Sequence, residues 1–456
     1  MGATYDSEER HPAPKCLVGT RIEILEKIET WVEAGSGDTS VLWLHGPAGA
    51  GKSAIAQTVA EACAGRKQLA ATFFFARTVT SRNHIKYLFP TIAVQIALSA
   101  PEKRQRLDKF LKGEPYIVKR AGGSVDLVAS LFRSSRTKPS PLVVIIDGLD
   151  ECQESKDQCR ILTEVYTMIK TLHLPLRFMI VSRPEAHICD AFEETPMATI
   201  TQVLSLYDDF RARDDVSLYL RSEFSRIHKS MKHKYVMQSV PAPWPSDDAI
   251  DQLVSNSGGY FIYASTVIRF VDEEGFPPRD RLAQVLNNRN SSISPLGPAP
   301  FAELDKLYLQ ILSSCSAYNL DNLKRILGYI VIVSSSQSGM ERWNIDLDMN
   351  VIEAFLHLER GQVKLMLRGL QSLVSFGESL EDVKLPKLHH ASFGDFLLDK
   401  ERSKDYQVDS EEWWYSVFCD AFSLACKRLD LPVAPGSDPA LRQQKSRLLP
   451  FVSSLS

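Results

Sequence analysis

The chain lacks any C-x-x-C pair, although it carries eight cysteines in 456 residues. Neither a zinc site nor a disulfide framework is therefore indicated, and the thiols are expected to be reduced. His187 and Cys189 lie close together without companion ligands and are read as ordinary side chains. Long hydrophobic runs are also missing. The longest, Ile326 to Val333, is interrupted by Gly328 and falls far short of the ~20 residues that span a bilayer. The first ten residues are polar and have no apolar core of a signal peptide, so a cytosolic protein without membrane association is expected. Charge of one sign is not in excess: the net charge of −3 gives no reason to expect nucleic acid as a partner. Lys229, Lys232 and Lys234 form a small basic cluster that reads as a solvated loop. No internal repeat is found, and the guanine-reading motif N-K-x-D is absent.

What is there is an ordinary globular composition, 44% hydrophobic and 24% charged, in a chain long enough for about two to four domains. One stretch organises it. Gly46-Pro47-Ala48-Gly49-Ala50-Gly51-Lys52-Ser53 fits G-x-x-x-x-G-K-[ST], the phosphate-binding loop. Val41 to His45 before it reads as a buried strand, and Ile55, Val59 and Ala62 after it recur at helical spacing. The residue types suit the chemistry. Backbone N–H groups must approach a triphosphate closely, which Gly46, Gly49 and Gly51 permit. The helix that follows turns its N-terminal amides and positive dipole end on the phosphates, and Ala54 after the motif is counted with the nucleotide-binding residues. Lys52 supplies a cation for the β and γ oxygens, and the Ser53 hydroxyl can hold Mg²⁺.

Read in order, residues 1–15 look like a flexible N-terminal lead-in closed by Pro12 and Pro14. An amphipathic helix through Ile24, Ile28 and Trp31 and a Gly-Ser-Gly-Asp turn at 35–38 precede the phosphate-binding strand. Further buried strands are read at 70–75, 141–147 and 176–181, and a fifth at 199–206, with helices between them. One of those helices is expected to end near Pro101. Strands alternating with helices imply an α/β fold, a parallel sheet covered on both faces. Residues 16–206 are expected to form this nucleotide-binding domain. From 207 to about 315 the pattern is helical, with prolines marking the loops. From 316 to 400 helices precede a hairpin with strands at 373–376 and 383–388, which suggests a winged helix. Residues 401–456 read as a further helical segment.

The strand ending at Asp147 continues as Gly148-Leu149-Asp150-Glu151. A carboxylate at the tip of a parallel strand lies where open α/β sheets bind ligands. There Asp147 can hold Mg²⁺, and Asp150 or Glu151 can polarise an attacking water. The strand read between the two motifs favours the branch of P-loop proteins that carries an acidic water activator. Arg183, in Ser182-Arg183-Pro184-Glu185, ends the fourth strand, where a cation could report on the γ-phosphate.

Gly46 to Ser53, the Asp-Gly-Leu-Asp-Glu ending and Ser-Arg-Pro-Glu together resemble the NACHT NTPases of the STAND class, in their fungal form. Leu17-Val18-Gly19-Thr20-Arg21 is similar to the family's hydrophobic-Gly-Arg segment, which lies against the base. Gly258 to Ala264 resembles the helical-domain segment that touches the nucleotide, with Phe261 where related switches often have proline. Leu388 to Phe396 resembles the winged-helix motif whose histidine contacts the β-phosphate of a bound diphosphate, and His390 is the histidine that aligns. Without the resemblance, His389 or His390 reads equally well as a core or strand-end histidine.

The resemblance covers about residues 16–400. It implies a closed ADP state and an ATP state that opens and forms homo-oligomers, with hydrolysis as a slow timer. Larger members carry an N-terminal effector and a C-terminal repeat sensor. Only short segments flank the expected domains here, so protein partners are expected to supply those functions, or the chain is a fragment of a longer product. ATP and ADP are expected ahead of GTP, although some relatives are associated with GTP. Two other readings are a turnover P-loop ATPase or GTPase and a non-hydrolysing nucleotide-binding adaptor; intact Asp150 and Glu151 argue against the second.

Overall fold

Five strands carry the apolar runs of the first half: β1 (Val41–His45), β2 (Leu69–Phe74), β3 (Leu142–Asp147), β4 (Leu176–Ser182) and β5 (Thr201–Ser205). In the computed structural model they form one sheet in the order β2-β3-β4-β1-β5, with every neighbouring pair parallel. The structure describes residues 2–34, 39–77, 79–114, 116, 123–132, 142–194, 196–207, 211–286, 302–314, 320–333, 349–356, 358–367, 370, 372–375, 386–408 and 413.

Period-two alternation decides which side chains face which layer. Val41, Trp43, Val144, Ile146, Phe178 and Ile180 enter one core, which includes apolar side chains of α3 (Ile85–Leu98), α5 (Gly123–Ser130) and α6 (Ser155–Tyr166). Leu42, Leu44, Val143, Ile145, Met179 and Val181 enter the opposite core with α1 (Ile22–Glu33) and α2 (Lys52–Gly65). Both faces are covered, which is why the three central strands read as unbroken apolar runs. Each large side chain so buried contributes about 1.5–3 kcal/mol. This is an α/β sheet of the P-loop kind. Its shared strand direction brings the ends of β1, β3 and β4 to one edge.

Some local expectations change. Pro101 does not merely end a helix; it opens α4 (Pro101–Gly113) at its first turn, where a missing N–H is harmless. Pro278 likewise starts a helix, α12 (Pro278–Leu286). Residues 1–15 read as a flexible lead-in, yet Ala3 to Tyr5 lie along β2: Ala3 is buried, its carbonyl accepts the Phe74 N–H at 2.9 Å, and the Tyr5 N–H donates to Thr72. The Gly-Ser-Gly-Asp turn at 35–38 lies outside the described residues.

The chain divides into two compact units, Met1–Tyr219 with Gly259–Ile262, and Leu220–Gly258 with Tyr263–Ser456. Two helices cross the division, α8 (Ala212–Lys229) and α11 (Phe261–Val271). The described part of the second unit is mainly helical. It includes α9 (Lys234–Met237), α10 (Asp247–Ser257), α12, α13 (Ala302–Ser314) and α14 (Leu320–Gly328). Tyr308 of α13 packs its ring 5.0 Å from Phe393 and 5.1 Å from Phe396, both on the helix Ala391–Leu398. A short antiparallel pair, β6 (Val374–Ser375) and β7 (Lys387–Leu388), precedes that helix. The residues joining the pair, and nearly all of 409–456, lie outside the described residues. Among the described residues, no helix is long and apolar enough to cross a membrane.

Candidate functional site

The loop from Gly46 to Gly51 leaves the end of β1 and enters α2 at Lys52. Two of its residues adopt backbone that side chains disfavour, Gly49 at φ +74° and Gly51 at φ +91°. A Cβ on Gly49 would fall inside the side chain of Ile262, whose N–H donates to the Gly49 carbonyl at 3.1 Å. A Cβ on Gly46 would come within 2.8 Å of Leu206. Ala54 and Ile55 donate to the Gly51 carbonyl, closing the first turn of α2. Lys52 Nζ is aimed over the loop and donates to the carbonyls of Gly46 and Pro47, each at 2.8 Å. Burial lowers its pKa, while Asp150 opposes that shift.

The acidic half comes from β3 and the turn after it. Gly148, at φ +73°, redirects the chain into a single turn, Leu149–Glu151. Asp147 is buried and takes a hydrogen bond from the Ser53 hydroxyl, while its Oδ1 has no hydrogen-bond partner among the described residues. Burial pushes Asp147 up to about 6, against the pull of Ser53 and nearby cations. Burial, with the Asp150 charge adding to it, pushes Glu151 up to about 7.

Both oxygens of Asp150 face Arg183: Oδ1 accepts its backbone N–H at 2.9 Å, and Oδ2 lies 3.3 Å from its Nε. Glu151 Oε2 accepts the Arg77 N–H at 3.1 Å, and Arg77 Nη2 donates to the Asp150 carbonyl. Arg183 thus sits on an acid of the site, an arrangement that its position at a strand end did not foretell. Arg77 was missed, yet the same signal would have found it, a cation just beyond the end of a parallel strand.

A third group gathers beside the loop. Arg21, almost fully buried, donates Nη2 to the Ala50 carbonyl at 2.7 Å and its N–H to Asp215 at 2.9 Å. Its guanidinium lies 5.0 Å from the Phe261 ring centre. The hydrophobic-Gly-Arg segment, the loop and Phe261 are therefore contiguous through Arg21. Gly19 takes a positive φ of +91°, whereas Val18 turns outward and is 94% exposed. Asp215 was not anticipated; nothing in the sequence near Arg211 to Val216 marks it.

His390 belongs to the second unit. Its Nδ1 accepts the Ser392 N–H at 3.0 Å and so caps the helix Ala391–Leu398. In the neutral ring that bond leaves the proton on Nε2. Ser392 in turn shares a 2.9 Å hydrogen bond with the buried Tyr308 hydroxyl. His389 is exposed.

The residues present fit a Mg²⁺-bound nucleotide. Gly49 and Gly51 turn the loop through positive φ, and Ser53 with Asp147 offers two hard oxygen donors, one of them a buried oxygen without a partner. Among the described residues no cluster of three or more acidic, His or Cys side chains could hold a metal unaided.

Residues 19–183 match the model of the nephrocystin 3 N-terminal region, a stretch spanning both halves of the site. No curated protein matches the chain. Among solved structures, a chain of Drosophila ORC bound to DNA is similar at 13% identity. That alignment covers 88% of this chain and 98% of the other with a TM-score of 0.39, a likeness too slight to bear on function. The matched region, the parallel sheet and the loop geometry define a P-loop NTPase-like domain.

Proposed function

We propose that the protein is a nucleotide-dependent switch of the NACHT type, which binds ATP and ADP with Mg²⁺ and hydrolyses ATP slowly. The observation that carries this reading is the convergence of Lys52 and Ser53 with Asp147, Asp150, Glu151 and Arg183 at the edge where β1, β3 and β4 end. Loop amides and Lys52 hold the phosphates, and Ser53 with Asp147 holds the metal. A Mg²⁺ ion held there would supply positive charge to the phosphates. Glu151, held by the Arg77 amide, takes the proton of the attacking water. Asp150 keeps Arg183 in place until a γ-phosphate competes for the cation. A cation that must leave one anion for another suits a slow timer better than rapid turnover.

In the same reading, residues 207–315 are the helical domain, residues 316–400 the winged helix and His390 its diphosphate-contacting residue. Support comes from the two-stranded pair followed by a helix that His390 itself caps. Opening and homo-oligomerisation in the ATP state, partners supplying sensor and effector, and a cytosolic location complete the proposal.

The test is the nucleotide carried by the purified protein, released by denaturation and identified by chromatography. Near-stoichiometric ADP is the expected result. GDP would keep the switch and reverse the base. Rapid steady ATP turnover from a protein purified without nucleotide would replace the switch by a working ATPase.

A further inference from the structure

The nucleotide reading makes no use of residues 2–10, yet they are tied to β2, α2 and Arg82 by specific hydrogen bonds. Along the edge of β2, Phe74 donates to the Ala3 carbonyl, and the Tyr5 N–H donates to Thr72 Oγ1 at 2.9 Å. Arg82 Nη1 donates to the Gly2 carbonyl at 3.2 Å. The segment then delivers Arg10. Its Nη1 donates to the carbonyls of Thr4 and Tyr5 and to Gln57 Oε1 at 2.9 Å, and its guanidinium lies 3.4 Å from the Phe74 ring centre.

Two of these partners locate the charge. Gln57 stands one turn beyond Ser53 on α2, and Phe74 is the register partner of Asp147 in the sheet. Arg10 therefore lies behind the Ser53–Asp147 pair, where its charge attracts the Asp147 carboxylate without a direct hydrogen bond. A buried carboxylate is expensive unless some cation answers it. Arg10 supplies part of that answer from within the chain.

We propose that residues 2–10 are a strap that presents Arg10 as an internal counter-ion to Asp147, and that strap docking competes with Mg²⁺ bound at Ser53 and Asp147. A divalent ion neutralises the same carboxylate, and two cations facing one anion across a poorly screened interior repel each other. The linkage is reciprocal: a docked strap weakens Mg²⁺ binding by the factor by which Mg²⁺ loosens the strap. The strap is then a readout of metal-loaded nucleotide at the outer edge of the sheet. The Mg²⁺ half rests on the nucleotide reading above; the counter-ion half does not.

Hydrogen exchange of the full chain, followed at residues 2–10 and at the phosphate-binding loop, tests both halves. Without nucleotide, Asp147→Asn should speed exchange at 2–10 on the order of tenfold while the amides of β1 and β4 stay as in the parent. Unchanged exchange at 2–10 overturns the counter-ion role. Should that variant not fold, Arg10→Gln gives the same comparison from the other side, with Arg10→Lys expected to restore the parent rate. In the parent protein, ADP with Mg²⁺ should protect the loop and speed exchange at 2–10 relative to ADP with EDTA. A protected loop with an unchanged or slower strap overturns the competition. If the loop is protected in neither condition, the nucleotide reading itself fails, and the Asp147→Asn comparison alone decides the strap.

Discussion

The two halves of the site are built in different ways. The phosphate-binding half is one uninterrupted octapeptide, with its positive-φ glycines and the helix it starts supplied by adjacent residues. The acidic half is assembled from remote stretches: Asp147 to Glu151 after β3, Arg183 after β4, Arg77 after β2 and Arg10 from the N-terminal segment. In the first, Lys52 rests on carbonyls of its own loop. In the second, Asp150 and Arg183 satisfy each other across the edge of the sheet. The local motif is nonetheless fixed in place by remote residues, Ile262 on the Gly49 carbonyl and Arg21 on the Ala50 carbonyl, whereas the acidic half responds to whatever shifts the balance among its charges.

The comparison is broken most sharply by Glu151→Gln, which should slow ATP hydrolysis by about 10²–10⁴-fold while leaving ATP binding near the parent value, measured in single-turnover assays. Asp150→Asn should differ by also releasing Arg183, so equal phenotypes for the two variants would undo the division of roles. Lys52→Ala should weaken ADP binding on the order of a hundredfold in a direct titration, and normal binding would end the phosphate-loop reading. Gly49→Ala combines a positive φ with a collision at Ile262 and should destabilise the first unit by about 1–3 kcal/mol in thermal unfolding.

A smaller effect is expected at His390. His390→Ala removes a helix cap worth about 1 kcal/mol and should also speed ADP release, whereas His390→Asn should keep the cap while still speeding ADP release. ADP off-rates equal to the parent in both variants would remove His390 from the site.

The weakest lever is pH. Asp147 and Glu151 titrate higher in the folded chain than in an unfolded one, so the folded state holds more protons between about pH 4.5 and 7. Their contribution to stability is complete at the acid end of that window and is lost as pH rises through about 6 and about 7. The melting temperature of the protein in EDTA should fall over this range, and Glu151→Gln should flatten the fall. Mg²⁺, which needs ionised Asp147, should act in the opposite sense and bind better as pH rises through about 6.

Much of the sheet was legible because buried parallel strands are continuous apolar runs; the strand read at 176–181 is β4 with one residue added, Ser182. The less regular pieces were not. Pro101 reads as a stop, but only the neighbouring helices decide that it begins one. Residues 2–5 have no periodicity, so the place of Ala3 to Tyr5 along β2 follows from an open strand edge that a sequence does not display.

By itself the sequence determined the phosphate-binding loop, the alternation of strands and helices and the acidic strand end, because each depends on residue types within a few positions of one another. Only the tertiary structure decided the strand order, the pairing of Asp150 with Arg183, the meeting of Arg21 with Asp215 and Phe261, and the delivery of Arg10 behind Asp147. Those contacts join residues from separate elements, up to 194 positions apart for Arg21 and Asp215. A charged side chain's partner is chosen by which strand ends the sheet brings together and by how little water is left between them.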